Sequence, residues 1–322
     1  MNKQPIIVLT GPTAVGKTAL SIELAKAVNG SIISADSMQV YKYMDIGSAK
    51  IMPEEMEGIP HYLIDVLSPM EDFNVVRFQT MAKRALEDIY SQGRIPIVTG
   101  GTGFYIQALL YDIDFTSEAS DSSYRKELEE YLEENGPHML HELLKDIDLV
   151  SYNTIHENNT KRVIRALEYY KMNNSPISLH NEKERGKESP YNFAYFVLTD
   201  DRENLYRRID KRVDMMLEKG LVEEVSGLKN MGCTTDLVSM QGLGYKEVLR
   251  ALDDEYSMEK AVEIIKQETR RFAKRQLTWF RRERGVIWLD KSEYLYDEAA
   301  ILNKIKEILC DKHIIEVTGK NE

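Results

Sequence analysis

Near the amino terminus, Gly11-Pro12-Thr13-Ala14-Val15-Gly16-Lys17-Thr18 satisfies the pattern GxxxxGK[ST] between a short apolar run ending at Thr10 and a segment with helical spacing. Such a loop binds phosphate for identifiable reasons. Glycines let the backbone wrap closely, the amides and the helix start turn positive dipoles inward, Lys17 adds a mobile cation, and the Thr18 hydroxyl can ligate magnesium. The expected ligand is a di- or triphosphate, either a phosphoryl donor or a leaving group. Three further places could supply chemistry. Asp36, in Ser34-Ala35-Asp36-Ser37-Met38-Gln39-Val40-Tyr41, follows a second apolar run, which puts it at a carboxyl end of a sheet, where open α/β folds bind ligands. There it could accept a proton or hold magnesium, and its plainer role is a turn or helix cap. Thr102 lies in Thr99-Gly100-Gly101-Thr102-Gly103-Phe104-Tyr105, whose glycines permit close backbone approach to a ligand and equally suit a tight strand-to-helix turn. On the segment Leu205 to Met216, an apolar stripe of Leu205, Ile209, Val213 and Met216 leaves Arg212 about 55° and Arg208 about 95° from its centre at about 100° per residue. Arg212 is thus the better placed to reach inward, and a guanidinium fork suits a diphosphate; a solvated basic face is the ordinary alternative.

The elements that must position these residues follow from apolar spacing. Ile6 to Leu9, Ile32 and Ile33, and Ile95 to Val98 are unalternated runs of strands covered on both faces; Ala194 to Leu198 returns to the sheet, and Val286 to Leu289 is the expected last strand. The helices between them include Lys17 to Val28, with Leu20, Leu24, Ala27 and Val28 as its expected buried stripe, and Phe78 to Tyr90. The predicted fold class is α/β, a P-loop NTPase-like parallel sheet flanked by helices. Charged helical sequence after Phe115, at Tyr124 to Asn135, Met139 to Leu144 and Asn159 to Met172, then a loop from Asn181 to Pro190, predicts a helical insertion. The expected organisation is 1–115, first part of the core; 116–190, insertion; 191–313, completion of the core through helices at Leu205 to Leu217, Leu221 to Met231, Glu259 to Arg282 and Glu298 to Leu309; and 314–322, a flexible tail.

The 322 residues carry a formal charge of −11, which by itself disfavours a nucleic-acid partner. Its distribution says otherwise. Lys266 to Gly285 holds eight Lys or Arg against Glu268 and Glu283, a local +6 that leaves −17 elsewhere, as a basic strip on an acidic protein would. The start lacks the pattern of a signal peptide, no run is long enough to span a bilayer, and Cys233 and Cys310 form no disulfide or zinc spacing, so a reducing cytoplasm is expected. His138 and His141, the only close histidine pair, are expected to be solvated on a helix rather than to hold a metal.

From about Ile6 through Leu289 the chain resembles the bacterial tRNA dimethylallyltransferases, also called tRNA isopentenyltransferases. The resemblance rests on GPTAVGKT at Gly11 to Thr18, SADSMQVYKYMDIGSAK at Ser34 to Lys50, TGGTGFY at Thr99 to Tyr105, RIDKRVDMM at Arg208 to Met216 and RQLTWFR at Arg275 to Arg281. It implies dimethylallyl diphosphate and the adenosine 3′ of the anticodon, in tRNAs reading codons that begin with U, as substrates, with prenylation of the exocyclic amine. It also implies that Asp36 accepts the amine proton, with Thr102 near the reacting centre, Arg212 on the diphosphate, and Lys17, Thr18 and the loop amides holding that group with Mg2+. Asp36, Ser37, Met38, Gln39, Arg125, Lys161, Arg162, Arg165, Gly244 and Tyr245 match positions that contact tRNA in the family. Arg271, Lys274, Arg275 and Arg282, opposite the stripe Ala273, Leu277 and Phe280, are expected to meet RNA phosphates. The insertion would hold the anticodon stem of a tRNA bound by a monomer. Unlike some eukaryotic relatives, the chain has no zinc-finger spacing after Leu289.

Three rivals remain on the residues alone. A P-loop kinase of a nucleoside or small metabolite explains the loop but not the RNA side. A prenyltransferase of free adenine nucleotides would need neither basic helix nor insertion. The third is an RNA-binding GTPase or ATPase without transfer chemistry.

Overall fold

The computed structural model describes residues 3–115 and 122–316, and these divide into two compact units. The first contains the described residues up to Leu110 and from Pro190 onward. Its strands are β1 Pro5–Thr10, β2 Gly30–Ser34, β3 His61–Tyr62, β4 Ile95–Gly100, β5 Asn192–Thr199 and β6 Val286–Asp290. They pair in parallel throughout in the order β3-β2-β4-β1-β5-β6. Ile6, Ile7, Val8 and Leu9 are each wholly buried, which is why β1 reads as an unbroken apolar run.

The first helices are α1 Lys17–Val28, α2 Val75–Ser91 and α3 Gly103–Leu110. The step from β1 to β2, through α1, runs toward one edge and the step from β3 to β4, through α2, runs back. Right-handed crossovers therefore put α1 and α2 on opposite faces. Leu20, Leu24 and Val28 of α1 are buried as expected, but Ala27 is exposed. Ser21, Ile22 and Ala25 are buried as well, so the buried arc is centred near Ser21 and Val28, and Ala27 falls beyond its edge. On α2, Phe78 stacks on Tyr105 of α3 with ring centroids 4.6 Å apart.

The second unit, Tyr111–Ser189, contains α4 Ser122–Glu142, α5 Leu149–Thr154, α6 Thr160–Asn173 and α7 Ile177–Gly186. Its core joins Leu128, Leu140, Leu144, Val163, Ile164 and Leu167. Gly136 (φ 80°) and Pro137 break α4 into two pieces, close to the two helices expected from spacing. The loop expected from Asn181 is helical as far as Gly186, because Glu184 is buried and accepts the Asp114 N–H at 2.9 Å. Residues 116–121 of the expected insertion lie outside the described residues.

The first unit resumes with α8 Arg202–Glu218, α9 Leu221–Asn230, α10 Tyr245–Leu252, α11 Met258–Phe280 and α12 Glu298–Asp311. Ile301, Ile305 and Leu309 of α12 share one core with α1 and the sheet, and Ile314, the first residue of the expected tail, is buried there too. Residues 317–322 of that tail lie outside the described residues.

In the second unit the Glu168 carboxylate, wholly buried, is held by Arg125 through Nε at 2.9 Å and Nη2 at 2.7 Å. Arg125→Ala strands that charge and should cost about 3 kcal/mol in denaturant unfolding, the low end for a broken buried pair because Arg125 is itself half exposed. Arg125→Leu with Glu168→Leu should regain most of the loss. Equal stability of Arg125→Ala and wild type would contradict this account.

A candidate active site at the carboxyl edge of the sheet

The phosphate loop joins β1 to α1 at the carboxyl ends of the strands, with Lys17 and Thr18 opening the helix. The Lys17 ammonium donates to Gly11 O (3.0 Å) and Pro12 O (2.8 Å). Two side chains brace the loop from other elements. Gln276 of α11 accepts the Thr13 N–H (2.9 Å) and donates to Gly101 O (2.9 Å), tying the phosphate loop to the glycine-rich turn after β4. A Cβ at Gly101 would lie 2.1 Å from Gln276 Nε2, so only glycine admits this crossing. Arg208 Nε donates to Ala14 O (2.8 Å).

Asp36 follows β2. Its Oδ1 accepts the N–H groups of Met38 (2.8 Å) and Gln39 (3.4 Å), an Asx turn, while Oδ2 has no hydrogen-bond partner among the described residues. One oxygen therefore fixes the turn and the other is available for chemistry. Ala35 N donates to Thr99 O (2.7 Å) and Thr102 N to Ala35 O (3.2 Å), which brings the Asp36 and Thr102 segments side by side.

A cleft of about 360 Å³ is lined by Thr13, Ala14, Gly16, Lys17, Thr18, Asp36, Gln39, Ser48, Ala49, Thr99, Gly100, Gly101, Arg208, Lys211, Arg212, Met215, Phe272 and Gln276. Lys17, Asp36 and Arg212 are thus brought together; Thr102 lies just beyond the lining, and Gly11, Pro12 and Val15 are buried behind it. Burial, and then the Arg212 charge, push the Lys17 amine down to about 7, with Asp36 pulling the other way. Burial also lowers Arg212, again opposed by Asp36. A half-dry cleft crowded with cations favours a polyanion. Arg208, Gln276, Ser48 and Ala49 were not singled out from sequence; Arg208 lies too far round its helix from the apolar stripe, and the other three belong to the wall only through distant partners.

The other expected positions are dispersed. Ser37 and Met38 are half-buried beside Asp36. Gly244 and Tyr245 are buried, and the Tyr245 hydroxyl donates to Glu224 (2.7 Å) and accepts the Ser48 N–H (3.0 Å), so its ring and hydroxyl face protein. In the second unit Lys161 and Arg162 of α6 are exposed, Arg165 is half-buried and Arg125 is committed to Glu168. Arg271, Lys274 and Arg275 on α11 and Arg282 just after its end are exposed and, with Thr278 and Trp279, line a depression of about 400 Å³. The charge counted for that helix is partly spent: Lys266 pairs with Asp214 (2.5 Å) and Arg270 with Asp210, both on α8, while Arg271 pairs with Glu268 (2.5 Å).

A diphosphate at Lys17 should return the amine toward its ordinary value, so above about pH 7 binding must take up a proton and affinity must fall as pH rises. Calorimetry with pyrophosphate in buffers of different ionisation enthalpy, at a pH of about 8, should show more proton uptake for wild type than for Lys17→Met, and no such difference a unit below 7. Equal uptake in the two proteins at the higher pH would remove Lys17 from the anion.

Similarity to known proteins points to one family. The family model described as IPP transferase matches residues 39–283. The tRNA dimethylallyltransferase of Lachnoclostridium phytofermentans is 60% identical over 313 residues, 97% of this chain and all of that protein. The crystal structure of the full-length tRNA isopentenylpyrophosphate transferase of Bacillus halodurans is 42% identical with a TM-score of 0.72, covering 97% of this chain and 98% of that one. A eukaryotic dimethylallyltransferase captured in crystallographic snapshots acting on tRNA is 30% identical with a TM-score of 0.82, covering 98% of this chain and 81% of that one. With a family model spanning most of its length and a relative of this identity matched end to end, the chain belongs to the IPP transferase family.

Proposed function

We propose that the chain transfers a dimethylallyl group from dimethylallyl diphosphate to the exocyclic amine of the adenosine 3′ of the anticodon, in tRNAs reading codons that begin with U. The observation that carries this reading is the cleft in which the Asp36 carboxylate shares the lining with Lys17 of the phosphate loop and with Arg208 and Arg212 of α8. The amine nitrogen attacks the allylic carbon bonded to oxygen, that carbon–oxygen bond breaks to release diphosphate, and the amine proton passes to Asp36 Oδ2. An exocyclic amine is a weak nucleophile, so removing its proton and stabilising the departing charge are the two terms such a site can supply. Lys17, Arg212, Arg208 and the loop amides receive the diphosphate, and Thr102, beside the lining, serves the reacting centre. The relatives described above are tRNA prenyltransferases, which gives the kinase reading no support.

The donor set fits Mg2+: the Thr18 hydroxyl and the cleft's other oxygens are hard ligands, and magnesium commonly takes one or two protein oxygens plus phosphate oxygens. Bound there by Thr18, it would neutralise charge on the departing diphosphate. Reaching a base in a tRNA loop requires unstacking it into the cleft, at a cost of a few kcal/mol that flanking contacts must offset. The exposed cations of α11, with Trp279 among them, suit backbone phosphates and a stacked base, and Lys161, Arg162 and Arg165 of the second unit are proposed to contact the anticodon stem. No helix among the described residues is long and apolar enough to cross a membrane, and the proposed setting is a monomer in the cytoplasm.

Asp36→Asn keeps the Asx turn but cannot take the proton. Single-turnover transfer should fall on the order of a hundred- to ten-thousandfold, without rescue by added magnesium, while tRNA and diphosphate affinities stay near normal. Near-normal transfer would sink the base assignment. Replacing Lys274 and Arg275 by Gln should lower the slope of log affinity for tRNA against log salt by about 1.5, two released counterions' worth, with diphosphate affinity unchanged. An unaltered slope would move the RNA track elsewhere.

A further inference from the structure

Ser48 and Ala49 form part of the cleft's wall, in a stretch with no regular secondary structure to fix it. Beyond its own turn hydrogen bonds, from Ala49 N–H to Ile46 O (3.0 Å) and Lys50 N–H to Asp45 O (2.9 Å), its backbone is held by one carboxylate from another element. Glu224 of α9 accepts the N–H groups of Asp45 (2.8 Å) and Ile46 (2.8 Å) on Oε2, and of Gly47 (3.1 Å) on Oε1. Oε1 also accepts the Tyr245 hydroxyl (2.7 Å), and that hydroxyl accepts the next amide, Ser48 N–H (3.0 Å). Four successive amides are thereby satisfied by two side chains, neither of which lines the cleft. Burial, then the Glu224 charge, hold the Tyr245 phenol well above its ordinary value, so it remains a donor to that carboxylate. The fit is close: a Cβ on Gly47 would lie 2.6 Å from the Tyr245 ring.

The wall connects onward to Asp36. Ala49 O accepts Gln39 Nε2 (3.2 Å), Gln39 Oε1 accepts the Ser34 hydroxyl (3.3 Å), and the Gln39 N–H donates to Asp36 Oδ1 (3.4 Å). We infer that Glu224, with Tyr245, is a positioning residue for the transfer reaction: by fixing the amides of residues 45–48 it sets the Ser48–Ala49 wall and, through Gln39, the direction of the Asp36 carboxylate. Neither side chain touches substrate in this role. It rests on the function proposed above, and it gives Tyr245 a task inside the protein.

Glu224→Gln replaces one acceptor oxygen by an amide that faces N–H groups, and Tyr245→Phe removes the hydroxyl while keeping the ring. A displacement of the base of about an ångström costs on the order of a hundredfold in rate. Single-turnover transfer with unmodified tRNA and dimethylallyl diphosphate should therefore fall about ten- to a hundredfold in Glu224→Gln and less in Tyr245→Phe, with pyrophosphate affinity within about twofold of wild type. The discriminating readout is a double-mutant cycle with Gln39→Ala. If Glu224 acts through the Ala49–Gln39 link, Glu224→Gln should slow Gln39→Ala only slightly, although its effect on thermal stability persists. Should Glu224→Gln fail to fold, Tyr245→Phe carries the same cycle. Rates equal to wild type, or rate losses that multiply in the double variant, would overturn the inference. Asp36→Asn is measured alongside. If it transfers normally, the proposed base is wrong and this role falls with it; if it collapses while the Glu224 and Tyr245 variants do not, only the positioning role fails.

Discussion

A carboxylate and several cations must share one small cleft without neutralising one another. An ion pair between Asp36 and Lys17 or Arg212 would satisfy both partners and leave neither a proton acceptor nor an anion site. The fold counters this by giving three of these charges backbone partners of their own. Lys17 donates to the carbonyls of Gly11 and Pro12, Arg208 to that of Ala14, and Asp36 Oδ1 is occupied by the amides of Met38 and Gln39. The charges still feel one another, since Asp36 opposes the lowering of both Lys17 and Arg212. They remain spatially assigned, however, and that assignment depends on two strand ends, β1 and β2, with β4 paired between them.

The rest of the first unit brings distant segments to this edge. Gln276 crosses from α11 to join two loops, and Glu224 and Tyr245 reach from α9 and α10 to secure a third. Catalytic geometry of this kind is built from loops, which carry few hydrogen bonds of their own, so the stiffness must come from side chains on helices. The basic helix illustrates a related economy. Lys266 and Arg270 join it to α8 through Asp214 and Asp210, and the cations left exposed lie toward its carboxyl end, where Trp279 adds an aromatic surface.

Much of this was legible in sequence where chemistry is encoded locally. The phosphate loop announces itself because glycine, lysine and threonine must occur at fixed offsets between a strand and a helix. Arg212 emerged from helical periodicity, and its half-buried place in the cleft lining agrees with its angle to the apolar stripe. Arg208, further round the helix, also reaches the loop, because a long side chain can span what its Cα direction does not. Gln276 was hidden by its strongly charged neighbours, and Ser48 and Ala49 by having no local pattern at all. The helix Ile177–Gly186 was obscured for a similar reason: its polar sequence reads as a loop until the burial of Glu184 is known. Tyr245 lay in a motif whose resemblance suggested RNA contact, and only tertiary structure reveals the ring packed against Gly47.

The most direct test of the shared cleft is the fate of the prenyl group. Unmodified tRNA, labelled dimethylallyl diphosphate and magnesium are incubated with the protein, and the tRNA is then digested to nucleosides; parallel reactions offer AMP, ATP or GTP in place of tRNA. The account predicts label on a single adenosine, the one 3′ of the anticodon, with release of diphosphate and no label on the free nucleotides. Label confined to a free nucleotide, or hydrolysis of ATP or GTP with no label in tRNA, would contradict it.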